Sequence, residues 1–278
     1  MIIIITICFL TSVSLFAAGE GVSPKAYPIG EFLGLTITNS MITGWVISLL
    51  LILAIRFLVG KPTIIPSAGQ AVIENLVTGI RDIVEPIVGK SMIAVTFPLL
   101  LALFTFILIH NWSGLFPGVG TFGWLQGNEL TYFFRPANAD LNTTLALSVI
   151  SMVAWLYYVL RYAGLKMLIY DLFGNKAEKK EIPTLIFYGL FLIFFGVGII
   201  EVISIAFRPV SLSFRLYGNV FGGENLLTAM QNMFAWILPI LFYALELLIG
   251  LVQALVFTIL VAVYVGLICN HGDEEHAH

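Results

Sequence analysis

Residues 183–230 read PTLIFYGLFLIFFGVGIIEVISIAFRPVSLSFRLYGNVFGGENLLTAM, and this stretch decides the fold class. About 48 residues of nearly unbroken apolar character make about 70 Å of helix at about 1.5 Å per residue, against a hydrocarbon core about 30 Å thick. One upright span cannot absorb that length. Either Pro209 and the glycines divide it into two spans, or one helix lies strongly tilted across a bilayer, and apolar length alone leaves both open. A second long run, 236–268, follows a turn expected around Gln231 and Asn232.

The remainder of the chain agrees with a membrane setting. Of 278 residues, 59% are hydrophobic and 10% charged, with a mean hydropathy of +1.01, whereas soluble domains carry about 25% charge. So many apolar residues cannot be hidden in one water-soluble core. That excludes an ordinary globular enzyme and a disordered chain, and predicts an all-α polytopic membrane protein with the lipid bilayer as its first partner. A net charge of −3 offers no basic excess for phosphates, which excludes nucleic acid. Cys8 and Cys269 stand at opposite ends and make neither metal spacing nor a disulfide framework. There is no Walker loop, nucleophile motif or zinc spacing, so no cofactor and no metal are expected. The tail His271-Gly-Asp-Glu-Glu-His-Ala-His278 reads as a solvated acidic end rather than a metal site.

Organisation follows from the apolar runs. Residues 1–18 form a signal peptide or an N-terminal anchor: Ala17 and Gly19 are spaced like a signal-peptidase site, but no Lys or Arg precedes the run. Residues 19–278 read as a single membrane domain, with upright spans near 40–60, 92–116 and 141–163 and long helices over 183–230 and 236–268. Pro62, Pro66 and Pro86 bracket 63–90, where Glu74, Arg81, Asp82 and Glu85 stand among Val, Ile and Leu, a pattern that predicts an amphipathic segment lying at the interface. Orientation comes from the loops. Arg161, Lys166, Lys176, Lys179 and Lys180 in one loop, and Lys61, Arg81 and Lys90 in another, mark those loops as cytoplasmic, whereas 19–40 and 117–140 hold only Lys25 and Arg135. The N-terminal tail is then outside and the C-terminus cytoplasmic.

Five charged residues lie between Pro183 and Cys269, namely Glu201, Arg208, Arg215, Glu224 and Glu246. Each costs about 2.5 to 3.5 kcal/mol at a helix centre, so each needs a reason to be there. Arg cannot shed its proton, so Arg215 must meet a carboxylate, water or a partner chain; a carboxylate can take up and release a proton, as a relay requires. Seven residues advance roughly 700°, nearly two full turns, so Glu201, Arg208 and Arg215 share one stripe. Nine residues advance roughly 900°, which puts Glu224 opposite Arg215. Glu246 and Gln253, again seven apart, present a carboxylate and an amide from one face of the last helix. An internal ion pair, Glu201 with Arg208, is the plain alternative to a relay. Gly218-xxx-Gly222, followed by Gly223, removes bulk just past Arg215 and lets another helix approach. His110, at the end of a span, reads as an interfacial residue.

Pro209-Val-Ser-Leu-Ser-Phe-Arg-Leu-Tyr-Gly-Asn219, continuing Val-Phe-Gly-Gly-Glu224, resembles subunit a of the F-type ATP synthase. Ala139-Asp-Leu-Asn-Thr-Thr-Leu-Ala146, Asn111-Trp-Ser-Gly-Leu-Phe-Pro-Gly118 and Val252-Gln-Ala-Leu-Val-Phe257 carry the same resemblance, which runs from about residue 40 to the C-terminal region. It implies a stator subunit of the Fo proton channel, with no catalysis by this chain alone. Its partners would be a rotating ring of c subunits, peripheral-stalk b subunits and the rest of the synthase. Its place would be a multi-pass position in a bacterial inner membrane. It also implies that the two C-terminal helices are strongly tilted, nearly horizontal. By the same resemblance the essential arginine falls on Arg215, the half-channel positions on Asn219, Glu224, Glu246 and Gln253, and an acidic position of less defined role on Glu201. Members commonly carry a His at one of the two acidic places, where this chain has Glu at both. The rival reading is a proton-coupled secondary transporter with Arg215 as an anion site, which the absence of an evident inverted repeat disfavours; a purely structural scaffold would need every intramembrane charge paired within the chain.

Overall fold

A computed structural model describes residues 26–32, 34–60, 62–116, 123–126, 129–132, 134–173, 184–233 and 238–269. The expected signal or anchor segment 1–18, Pro183 and the tail 271–278 lie outside the described residues. In chain order the elements are strands β1 (Pro28–Phe32) and β2 (Leu35–Thr38), helices α1 (Asn39–Val59), α2 (Ala68–Val88) and α3 (Ile93–Ser113), and strands β3 (Gly123–Gln126) and β4 (Glu129–Tyr132). A 3₁₀ turn (Ala137–Ala139), α4 (Leu141–Tyr158) with a π-type turn at its end (Val159–Ala163), α5 (Leu165–Phe173), α6 (Thr184–Met233) and α7 (Leu238–Cys269) complete the chain. Among the described residues, five helical segments are long and apolar enough to cross a membrane. Two short antiparallel hairpins, β1 with β2 and β3 with β4, are the departures from an all-helical chain.

The length puzzle of the last third is resolved in one direction. The 50 residues of α6 run unbroken through Pro209, about 75 Å of helix. Proline removes one backbone bond, but a helix end in hydrocarbon would strand several unpaired carbonyls, so continuing the helix is the cheaper solution. Gln231 and Asn232 are helical, not the expected turn; neither Pro nor Gly stands at 231–233 to end the helix.

The chain divides into two compact units. One comprises residues 1–80, 101–144 and 214–258, the other residues 81–100, 145–213 and 259–278. In the first, Thr38 caps α1, accepting the Met41 N–H at 3.4 Å, and the N–H of Asn39 donates to Tyr27 O at 3.0 Å, so the first hairpin leads straight into that helix. In the second, Val84 and Val88 are buried on the apolar face of the amphipathic helix α2. There α7 comes close enough to α2 that a side chain at Gly266 would meet the backbone oxygen of Ile87. Trp155 Nε1 donates to Tyr264 O at 2.7 Å, and Gly164, at φ 83°, ends the π-type turn where a residue with a Cβ would be strained.

Candidate functional site

The two faces of α6 have different surroundings. Leu212, Leu216, Val220 and Leu227 are buried, whereas a stripe from Phe207 through Phe214, Arg215, Gly218 and Gly222 to Leu226 is exposed. Three- and four-residue spacing puts each set on its own face. Arg215 therefore projects from the open face, and among the described residues no hydrogen bond or ion pair engages its guanidinium. A Cβ added at Gly218 or Gly222 would meet nothing within 4 Å, so the GxxxG pair does not pack against this chain's described helices.

Gly223, on the covered face, behaves oppositely: a Cβ there would collide with the carboxylate of Glu246 on α7. One helical turn earlier, Asn219 Nδ2 donates to Gln253 Oε1 at 2.7 Å. Residues 219 and 223 thus meet 253 and 246 respectively, an antiparallel contact lined by polar side chains where two apolar helices would ordinarily bury only hydrocarbon. Gln253 is buried. Its Nε2 and Glu224 Oε2 are buried without a hydrogen-bond partner among the described residues, an uncommon state, since buried polar atoms nearly always find one.

Glu224 is not alone. The carboxylate of Glu246 lies against the adjacent Gly223, and Arg135 Nη2 lies 3.9 Å from Glu224 Oε2. Sequence reasoning placed Arg135 in an external loop and gave it no role; the signal available was a lone Arg in a Lys- and Arg-poor loop directly before Pro136. A buried frame holds this region. Asn138 Nδ2 donates to Asn111 Oδ1 at 2.8 Å, Asn111 Nδ2 donates to Gly250 O at 3.1 Å, and Trp112 Nε1 donates to Leu247 O at 3.0 Å. The crossing is close at Gly250, where a Cβ would come 3.2 Å from Asn111 Cβ. Ser40 Oγ donates to Asp140 Oδ2 at 2.7 Å, joining α1 to the end of the 3₁₀ turn.

Two further sequence expectations resolve differently. Glu201 is paired with Arg208, Nη2 to Oε1 at 2.7 Å, and the Arg208 guanidinium also sits 4.3 Å from the Tyr264 ring centroid. His110 is fully buried rather than interfacial: its Nδ1 lies 2.8 Å from Phe106 O and its Nε2 3.4 Å from Gly44 O. Helix α3 turns that side chain toward α1, which span-end position alone does not reveal.

These features define a multi-pass membrane protein whose last two helices trap polar and charged groups along their contact while leaving one arginine on an open face. The family model described as ATP synthase A chain matches residues 40–266. The chain is 31% identical over 230 residues to ATP synthase subunit a 2 of a Bradyrhizobium species, covering 83% of this chain and 88% of that one. It is 33% identical over 238 residues to ATP synthase subunit a of Gloeobacter violaceus, covering 86% of each. The chain belongs to the ATP synthase A chain family. It is accordingly an integral, multi-pass membrane component of an F-type ATP synthase.

Proposed function

We propose that this chain is the stationary half of the synthase's proton path, forming two half-channels against a rotating ring of c subunits and so coupling proton flow to rotation and ATP synthesis. What supports the reading is the family membership joined to one observation: an exposed Arg215, without a partner among the described residues, on a glycine-edged face of α6. A permanent cation in lipid is costly unless something meets it, and a ring carboxylate passing that face is such a partner. The glycines at 218 and 222 leave room for a close, sliding neighbour.

Protons enter from outside along Glu224 and Glu246, with Asn219 and Gln253 lining the route, and load a ring carboxylate. They leave toward the cytoplasm after the ring has turned almost fully. Arg215 separates the two routes. Its charge attracts the ionised ring carboxylate and repels a proton crossing directly between half-channels. Each charge moved through the membrane gains about 2.3 kcal/mol per 100 mV, so several protons must be summed, and rotation performs the sum. Glu201, held by Arg208, is assigned no step. In this reading residues 19–278 act as one membrane domain in a bacterial inner membrane, the C-terminus is cytoplasmic, α6 and α7 lie nearly horizontal along the ring, and b subunits tie the chain to the peripheral stalk.

The test is Arg215→Ala in the intact synthase. Proton-driven ATP synthesis falls to background while the ring still co-purifies with the complex; retained synthesis overturns the assignment.

A further inference from the structure

Arg135 occupies a position built with unusual care for a loop residue. Its backbone N–H donates to Thr43 Oγ1 at 3.1 Å, and that hydroxyl donates to Asn39 O at 3.0 Å. Pro136 is pressed against Gly114, where a Cβ would lie 2.7 Å from the proline ring, and Ala137 lies 3.3 Å from the place of a Cβ at Gly44. The backbone on either side of Arg135 is therefore seated on α1 and the end of α3. The side chain is 8% exposed and directed to Glu224, with 3.9 Å between Nη2 and Oε2. That separation is too long for a hydrogen bond yet within the range of strong attraction in a poorly solvated site.

We infer that Arg135 is the fixed counter-charge of the outward half-channel, a positioning residue that balances the ionised state of Glu224 without clamping its oxygens. The inference rests on the reading of Glu224 as a proton carrier. An ionised carboxylate buried without a counter-charge is strongly disfavoured, so a carrier there cycles poorly unless a cation that never deprotonates stands nearby. A hydrogen-bonded salt bridge would serve the charge but occupy the lone pair that must receive the proton. The gap seen here does the first without the second. Among the described residues, the charged groups beside Glu224 are Arg135 from the loop and Glu246 from α7, whose carboxylate lies against Gly223.

The experiment measures passive proton conduction through the assembled synthase in lipid vesicles, with ring co-purification as the measure of assembly. Arg135→Gln slows conduction roughly tenfold, the factor that about 1.4 kcal/mol on a barrier represents; Arg135→Lys restores most of the rate; and adding Arg135→Gln to Glu224→Gln produces no further slowing. Normal conduction in Arg135→Gln beside slow conduction in Glu224→Gln overturns the inference and leaves the Glu224 reading standing. Normal conduction in Glu224→Gln removes the Glu224 reading itself. If Arg135→Gln does not assemble, the Arg135→Gln/Glu224→Gln double variant decides: recovered assembly supports the pairing, because the unbalanced carboxylate is gone, and continued failure makes Arg135 a purely structural residue.

Discussion

Helix α6 supplies the carboxylate of two arginine pairs built on opposite plans. Arg208 and Glu201 stand two turns apart on the same helix, touch at 2.7 Å, and leave the Glu201 side chain 45% exposed. Arg135 and Glu224 come from distant parts of the chain, stop 3.9 Å apart, and leave side-chain exposures of 8% and 25%. The first is a closed, charge-assisted hydrogen bond, the stronger contact by geometry, and its Arg is further occupied by the Tyr264 ring. The second balances charge while leaving the carboxylate oxygen free. A pair that has already satisfied itself is a poor proton carrier, and a pair held apart by its scaffold is a better one, so the weaker contact is where function is sought.

Among changes that test this contrast, disturbing the surroundings of Glu224 should have the largest consequence. Gly223→Ala places a methyl group where the Glu246 carboxylate lies. The side chain can swing aside, so the chain still assembles, but proton conduction in vesicles drops roughly tenfold as the two carboxylates lose their relation. Assembly with wild-type conduction would show that their spacing is immaterial.

A smaller effect is expected from Asn111→Ala, which removes the bonds to Gly250 O and Asn138. Thermal unfolding of the detergent-solubilised complex should report a loss of about 1 to 3 kcal/mol, the usual penalty for unsatisfied buried partners. A melting curve unchanged from wild type would show that the frame does not brace Arg135. The smallest effect belongs to the closed pair: Glu201→Gln should cost about 1 kcal/mol or less, because the Glu201 side chain is 45% exposed and partly exposed pairs contribute little. Conduction should stay within about twofold of wild type, well below the tenfold step that about 1.4 kcal/mol represents. A large loss of conduction would erase the contrast between the pairs.

The Glu201–Arg208 pair was legible in the sequence because both residues belong to one helix, where seven-residue spacing is a distance. The oddity of Arg215 was legible for the same reason: its costs and its stripe are local facts. Gly218-xxx-Gly222 pointed correctly to thin helix surface, but Gly223, one residue further, is the glycine that meets α7; which face is covered depends on where the neighbouring helix lies. The burial of His110 and the place of Arg135 beside Glu224 were not legible, because a position at the end of an apolar run or in a loop says nothing about which segment closes over the side chain.

Composition, run length and the positions of five charges were sufficient to specify a polytopic membrane protein with an excess of ionisable groups in its last third, because the energetic demands of hydrocarbon on backbone and charge apply residue by residue. Tertiary structure alone decided that α6 continues through Pro209, that Asn219 and Gly223 face Gln253 and Glu246, and that Arg135 stands beside Glu224. The physical reason is that a helix fixes neighbours only three, four or seven residues away, whereas a counter-charge from another segment is set by how loops and helix ends pack, which no local period encodes.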